Sequence, residues 1–148
     1  GWYTRLEFPY LNNIMEQGEY VHIEKAGLKI YPEYGTYSDF NALPDSIFLY
    51  IADENNVVTD AVKDYLGKQV QGGKLVKDDL FLGNTYYYFD VTQFMKEELG
   101  ASGKYKHNLQ LVFNSDDYTK TLKNLTFSAP NGQNPIILQL NYKIYESY

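Results

Sequence analysis

The chain has 148 residues, of which 44% are hydrophobic and 17% aromatic, with no cysteine and a formal net charge of −6. A chain of this length buries about 70% of the surface that it exposes when unfolded, so one hydrophobic core forms without disulfides. The negative balance excludes the basic surface with which proteins neutralise phosphates, and we expect no nucleic-acid partner. No stretch approaches the roughly 20 apolar residues that span a bilayer, so no transmembrane segment is expected in this chain.

The chain begins with glycine rather than methionine. We therefore expect Gly1 to be a remnant of processing or trimming, so that any native export signal would lie upstream of it. Neither a linker nor an internal repeat is visible, and this predicts a single β-sandwich domain over residues 1–148.

Aromatic and β-branched residues favour strands, and the chain carries 16 tyrosines and 8 phenylalanines. Apolar runs and period-two alternation predict strands at Thr4–Phe8, Tyr20–Tyr31, Ile47–Ile51, Leu109–Phe113, Leu122–Phe127 and Ile136–Tyr145. Many short strands, one short helix and no alternation of strands with helices predict an all-β fold, an antiparallel β-sandwich of jelly-roll type.

Glycines mark two breaks in the predicted strands. The apolar positions of Tyr20–Tyr31 change face along the strand, and the change predicts a β-bulge at Gly27. Farther on, the adjacent glycines Gly72 and Gly73 accept positive φ values, which predicts the tight turn of a hairpin at Val70–Leu75.

One helix is predicted at Val91–Leu99. Asp90 is expected to cap its first turn, with Gln93 three residues later as in a capping box. Gly100 follows as a candidate for the left-handed residue that ends the helix. Apolar residues recur on one face of the predicted helix, at Val91, Phe94, Met95 and Leu99.

Four segments, Tyr3–Leu11, Ile23–Leu28, Leu43–Tyr50 and Tyr88–Phe94, resemble the C-terminal part of a large uncharacterised family of Bacteroidetes lipoproteins. The order of a strand, Phe-Asp-Val-Thr, a short helix and two further strands is also similar to the DNRLRE-type β-sandwich modules of bacterial cell-surface proteins. The resemblance implies an exported outer-membrane lipoprotein of the cell envelope, attached through a lipid anchor upstream of Gly1. It carries over no catalytic residue.

The sequence contains few of the residues that nucleophilic catalysis requires. There is no cysteine and no Gly-x-Ser-x-Gly elbow, and His22 and His107 are the only histidines. A glycosidase, however, needs only two carboxylates about 5 to 10 Å apart, a distance that a sequence does not show. Paired carboxylates occur in predicted turns at Asp53–Glu54, Asp78–Asp79 and Asp116–Asp117, where solvated side chains are the expectation. A glycan-active enzyme therefore stays open as the second alternative.

Asp116 and Asp117 are the candidates for a calcium site, but the spacing of a calcium-binding EF-hand loop is absent. No metal site and no cofactor are predicted.

Exposed aromatic residues can stack against sugar rings, and this is the physical reason for predicting carbohydrate binding. Tyr34 and Tyr37 lie in the loop between Pro32 and Pro44, and Trp2 is near the start of the chain. These three residues are the predicted platform on which sugar rings would stack, although tyrosine is also a common strand residue. In Tyr86–Tyr88, strand alternation requires the middle tyrosine to face away from the other two.

The leading interpretation is a non-catalytic structural or partner-binding module of an exported cell-envelope lipoprotein, with a glycan or another cell-surface protein as partner. The first alternative is a carbohydrate-binding module that uses the loop aromatics.

Overall fold

The computed structural model describes residues 3–17, 20–64, 66–80, 84–102, 107–113 and 136–146. Within them the strands are β1 (Thr4–Leu6), β2 (Tyr20–Ile30), β3 (Ile47–Ala52), β4 (Val58–Ala61), β5 (Lys74–Val76), β6 (Tyr86–Asp90), β7 (Asn108–Phe113) and β8 (Ile137–Tyr145). The helices are α1 (Leu11–Met15) and α2 (Thr92–Ser102). Trp2, Asp116, Asp117 and the predicted strand Leu122–Phe127 lie outside the described residues.

The described strands form two four-stranded antiparallel sheets. Sheet A has the order β1-β7-β3-β4, and sheet B has the order β5-β6-β2-β8. The chain crosses repeatedly from one sheet to the other, and buried side chains of both sheets form one hydrophobic core. The predicted all-β sandwich is confirmed, and the short helix α1 is an addition that strand periodicity did not indicate. No helix in the described part of the chain is long and apolar enough to cross a membrane.

Strand β6 shows how alternation builds the two faces of sheet B. Tyr87 and Phe89 are fully buried, and the hydroxyl of Tyr87 donates a hydrogen bond to the carbonyl of Pro44. Tyr86 and Tyr88 are half-buried on the opposite face. The inner face therefore contributes aromatic side chains to the core, while the outer face presents a second pair of tyrosines.

The bulge in β2 lies elsewhere than predicted. The register of β2 against β8 shifts between Ile23 and Lys25, where Glu24 and Lys25 are both exposed. Two charged residues side by side are both accommodated in solvent when the bulge falls on them. Gly27 instead sits in a regular part of the strand, opposite Asp90 of β6 and Gln139 of β8.

Gly72 and Gly73 do not form the predicted hairpin turn. Gly72 bridges to Phe48 of sheet A, and the backbone N–H of Gly73 donates to the carbonyl of Ile47 at 2.8 Å. β5, which begins directly after them, belongs to sheet B. A Cβ at Gly73 would overlap the ring of Phe89. The two glycines therefore carry the chain between the sheets, close against a core aromatic ring.

Helix α2 begins where Asp90 leaves β6. The Asp90 carboxylate accepts hydrogen bonds from the backbone N–H of Thr92 at 3.0 Å and from its hydroxyl at 2.6 Å. The predicted capping box is wrong, because the Gln93 amide donates to Glu97 at 2.7 Å. The backbone of Asp90 is held by Gln71, whose amide accepts from its N–H at 2.7 Å and donates to its carbonyl at 2.8 Å.

The other end of α2 also differs from the prediction. The helix continues to Ser102, so Gly100 lies within it and does not end it. The apolar stripe is as expected, since Val91, which directly precedes α2, and Phe94, Met95 and Leu99 within it are buried in the hydrophobic core.

Candidate functional site

A shallow groove of about 290 Å³ crosses the outer face of sheet B. Its side chains come from three adjacent strands: Lys25, Gly27 and Lys29 from β2, Tyr86 and Tyr88 from β6, and Gln139 and Asn141 from β8. We call this surface the tyrosine groove. Strand alternation places all of them on one face, because the residues between them along each strand point towards the core.

Gly27 forms the floor of the tyrosine groove. Its position lies beneath the ring of Tyr88, since a Cβ there would come within 2.9 Å of Tyr88 Cε2 and of the phenol oxygen. Gly27 is buried by this ring, although it faces the outside of the sheet. Because Gly27 has no side chain, the ring of Tyr88 can lie across β2 and form an aromatic surface on the sheet.

Tyr86 extends the aromatic surface along β6. Its ring centroid is 5.4 Å from that of Tyr31, with an angle of 49° between the ring planes. The ammonium nitrogen of Lys29 stands 4.9 Å from the Tyr86 centroid, in the range of a cation–π contact. These contacts restrict the orientation of the Tyr86 ring.

An ion pair lies near the groove on the same face. Lys143 Nζ is 2.7 Å from Glu24 Oε1. The side-chain hydrogen bond lowers the pKa of the Glu24 carboxyl below its ordinary value of 4.5 and raises the pKa of Lys143 above its ordinary value of 10.5. Both groups are therefore charged at neutral pH, and they neutralise each other.

The aromatic residues of the loop between Pro32 and Pro44 differ in their exposure. Tyr34 is 61% exposed, and Phe40 is completely exposed. Tyr37 is half-buried, packs against the core and lines a separate cavity of about 370 Å³ beside Leu43 and Asp39. The loop therefore exposes Tyr34 more than Tyr37, and Trp2 lies outside the described residues.

The carboxylates Asp53 and Glu54 meet other charged residues at one end of sheet A. A cavity of about 710 Å³ there is lined by residues that include Arg5, Glu7 and His107. Asp53 stabilises the local backbone, because its Oδ1 accepts hydrogen bonds from the backbone N–H groups of Asn55 and Val57, each at 2.9 Å. It thereby holds the turn between β3 and β4.

Of the other candidate residues that the structure describes, His107 lines this cavity, whereas Asp78, Asp79 and His22 do not. Asp78 accepts the backbone N–H groups of Leu80 and Asn84 and so holds a turn of its own. His22 is exposed on β2, whereas Nδ1 of His107 contacts the carboxylate of Glu98. Among the described residues no group of three or more His, Asp or Glu side chains is arranged to hold a metal ion.

A scan against family models, a search of curated proteins and a search of solved structures each found no match for this chain.

The sequence did not predict the tyrosine groove, although it showed which residues of each strand share a face. Alternation placed Tyr86 and Tyr88 together on one face, and it also places Lys25, Gly27 and Lys29 together. No local pattern shows that β6 and β8 both pair with β2. Pairing between strands far apart in sequence is the step that brings these residues into one groove.

Proposed function

We propose that this chain is a non-catalytic binding module of an exported cell-envelope lipoprotein, and that its ligand is a carbohydrate held in the tyrosine groove. The observation that supports the proposal is the ring of Tyr88 laid over Gly27, with the exposed side chains of Gln139 and Asn141 on the neighbouring strand. Sugar rings carry C–H faces that pack on aromatic rings, and hydroxyls that exchange hydrogen bonds with amides. The groove offers both kinds of contact side by side.

The geometry favours this site over the loop aromatics. A sheet holds side chains more rigidly than a loop does, and preorganised groups lose less conformational entropy when a ligand binds. Tyr86 and Tyr88 are held by neighbouring side chains and backbone, whereas Tyr34 stands exposed in a turn. Carbohydrate binding, the first alternative from the sequence, is therefore proposed at a different surface.

A glycan array followed by titration calorimetry tests this function. We expect the Tyr86→Ala and Tyr88→Ala exchanges together to weaken binding by at least about tenfold, from the typical contribution of aromatic contacts. Tyr10→Ala is the matched control, because Tyr10 is 78% exposed and does not line the groove. Loss of binding in Tyr34→Ala alone, with the groove variants unaffected, would assign the ligand to the loop instead.

The envelope part of the proposal rests on the family resemblance and has its own test. The complete gene should encode a signal that ends in an acylated cysteine upstream of Gly1. Labelling of cells with a radioactive fatty acid should then mark the full-length protein. A gene that starts without an export signal would contradict the location and leave the binding proposal untouched.

A further inference from the structure

The charge of the tyrosine groove is opposite to that of the chain as a whole. The sequence has 13 Lys and Arg residues against 19 Asp and Glu residues. The residues that line the groove nevertheless include Lys25 and Lys29 and no carboxylate. Within the described part of the chain neither lysine has an ion-pair partner, whereas nearby Lys143 is neutralised by Glu24. The groove thus holds two lysines that form no ion pair with any described residue, and the carboxylates Glu24 and Asp90 line the neighbouring cavity that Lys25 shares.

The two lysines flank the aromatic floor. They lie on the same face of β2, with Gly27 and the overlying ring of Tyr88 between them. Four residues along a strand correspond to about 13 Å, which is long enough for a short oligosaccharide. Lys29 also contacts the ring of Tyr86, so its ammonium group is kept at the level of the aromatic surface.

We infer that the tyrosine groove selects an acidic oligosaccharide. Its sugar rings pack on the two groove tyrosines, and its carboxylate or sulfate groups pair with Lys25 and Lys29. Its hydroxyls bind the amides of Gln139 and Asn141. The inference rests on the proposed function and adds the charge of the ligand to it. Charge complementarity supports an acidic ligand, because its negative groups would form ion pairs with these ammonium groups that a neutral sugar does not offer.

The experiment compares glycans that share a sugar backbone and differ in charge. An array of uronic-acid, sialylated, sulfated and neutral oligosaccharides finds the ligand class, and the carboxylate and sulfate members distinguish the source of the negative charge. Oligogalacturonate and its methyl ester then form a matched pair with the same sugar backbone. We expect the acidic form of a bound glycan to bind about tenfold more tightly than its neutral counterpart. This value follows from two exposed lysine–acid pairs, each of which strengthens binding roughly threefold. Rising salt should reduce the difference.

Charge variants assign the preference to the groove. Lys25→Gln combined with Lys29→Gln should remove the preference for the acidic form while binding to the sugar rings persists. Lys68→Gln is the matched control, because Lys68 is exposed and lies outside the groove. Unfolding curves in urea confirm that each variant is folded.

The outcomes separate the two proposals. If neutral and acidic glycans bind equally and the lysine variants change nothing, the acidic preference is refuted and the carbohydrate function stands. If the array shows no binding to any glycan, both proposals fail. If Lys68→Gln removes the preference as the groove variants do, the effect comes from net charge, and the assignment to Lys25 and Lys29 is overturned.

Discussion

Tyr87 and Tyr88 are neighbours in β6, yet their rings lie on opposite sides of sheet B. Tyr87 is completely buried, and its hydroxyl is bonded to the carbonyl of Pro44. Tyr88 lies over Gly27 on the outer face, with its ring partly in solvent. The same residue type thus stabilises the core at one position and forms a surface at the next.

Two glycines repeat this contrast. Gly73 lies against the ring of Phe89 inside the sandwich, and Gly27 lies under the ring of Tyr88 outside it. In both places an aromatic ring occupies the space that a Cβ would take. The surroundings differ, because Phe89 is enclosed by the core while Tyr88 has solvent on one side. Changes at the inner position should therefore affect folding, and changes at the outer position should affect binding.

The largest expected effect is the loss of the inner tyrosine. Tyr87→Ala should lower the free energy of unfolding by about 3 to 5 kcal/mol, the usual cost of removing a buried aromatic side chain. Tyr88→Ala should cost clearly less, since its ring is only half-buried. Urea unfolding followed by circular dichroism measures both values. Equal losses in the two variants would show that the outer ring is as important to stability as the inner one.

The glycine pair should give the next largest effect. Gly73→Ala should cost about 1 to 3 kcal/mol, because the new methyl group overpacks against the enclosed ring of Phe89. Gly27→Ala should leave stability nearer to that of the parent protein and displace the ring of Tyr88, so glycan affinity should fall. A measured order of stability opposite to this would contradict the assignment of Gly27 to a binding surface.

Asp90 lies on the outer face of sheet B, but we expect it to affect stability and not binding. It follows Tyr86 and Tyr88 in the alternation of β6, but its carboxylate is bonded to Thr92 at the start of α2. Asp90→Ala should lower the free energy of unfolding by about 0.5 to 2 kcal/mol, as for other residues that cap helices, and leave glycan affinity unchanged. Reduced affinity with an unchanged unfolding midpoint would make Asp90 a ligand contact.

The smallest expected effect belongs to the exposed ion pair of the outer face. The folded state lowers the pKa of Glu24 below 4.5 through its hydrogen bond with Lys143, so the stabilisation is present above pH 4.5 and is lost as the pH falls through the lowered value. The raised pKa of Lys143 keeps the pair intact up to pH 10.5. Glu24→Gln should therefore differ from the parent protein only slightly, and only between these limits. Unfolding midpoints of both proteins measured across the pH range test this prediction. A large difference, or a difference outside these pH limits, would contradict it.

Local patterns were sufficient for much of this fold. Alternation placed Tyr87 opposite to Tyr86 and Tyr88, and the apolar stripe of α2 was identified in full. Both patterns depend only on where consecutive side chains point along a strand or a helix, which is a property of the backbone itself. Asp90 was also marked by its position between a strand and a helix, and it bonds to the first turn.

Long-range packing decided the rest. The sequence by itself determined an all-β chain with two-faced strands and a capped helix, because these features follow from neighbours along the chain. Only the tertiary structure decided that Gly27 lies under Tyr88 and Gly73 under Phe89, whereas sequence reasoning made them a bulge and a turn. It also decided that the loop tyrosine Tyr37 is half-buried against the core. Each of these outcomes depends on which strands pair and which rings cover them, and those contacts join residues far apart in the sequence.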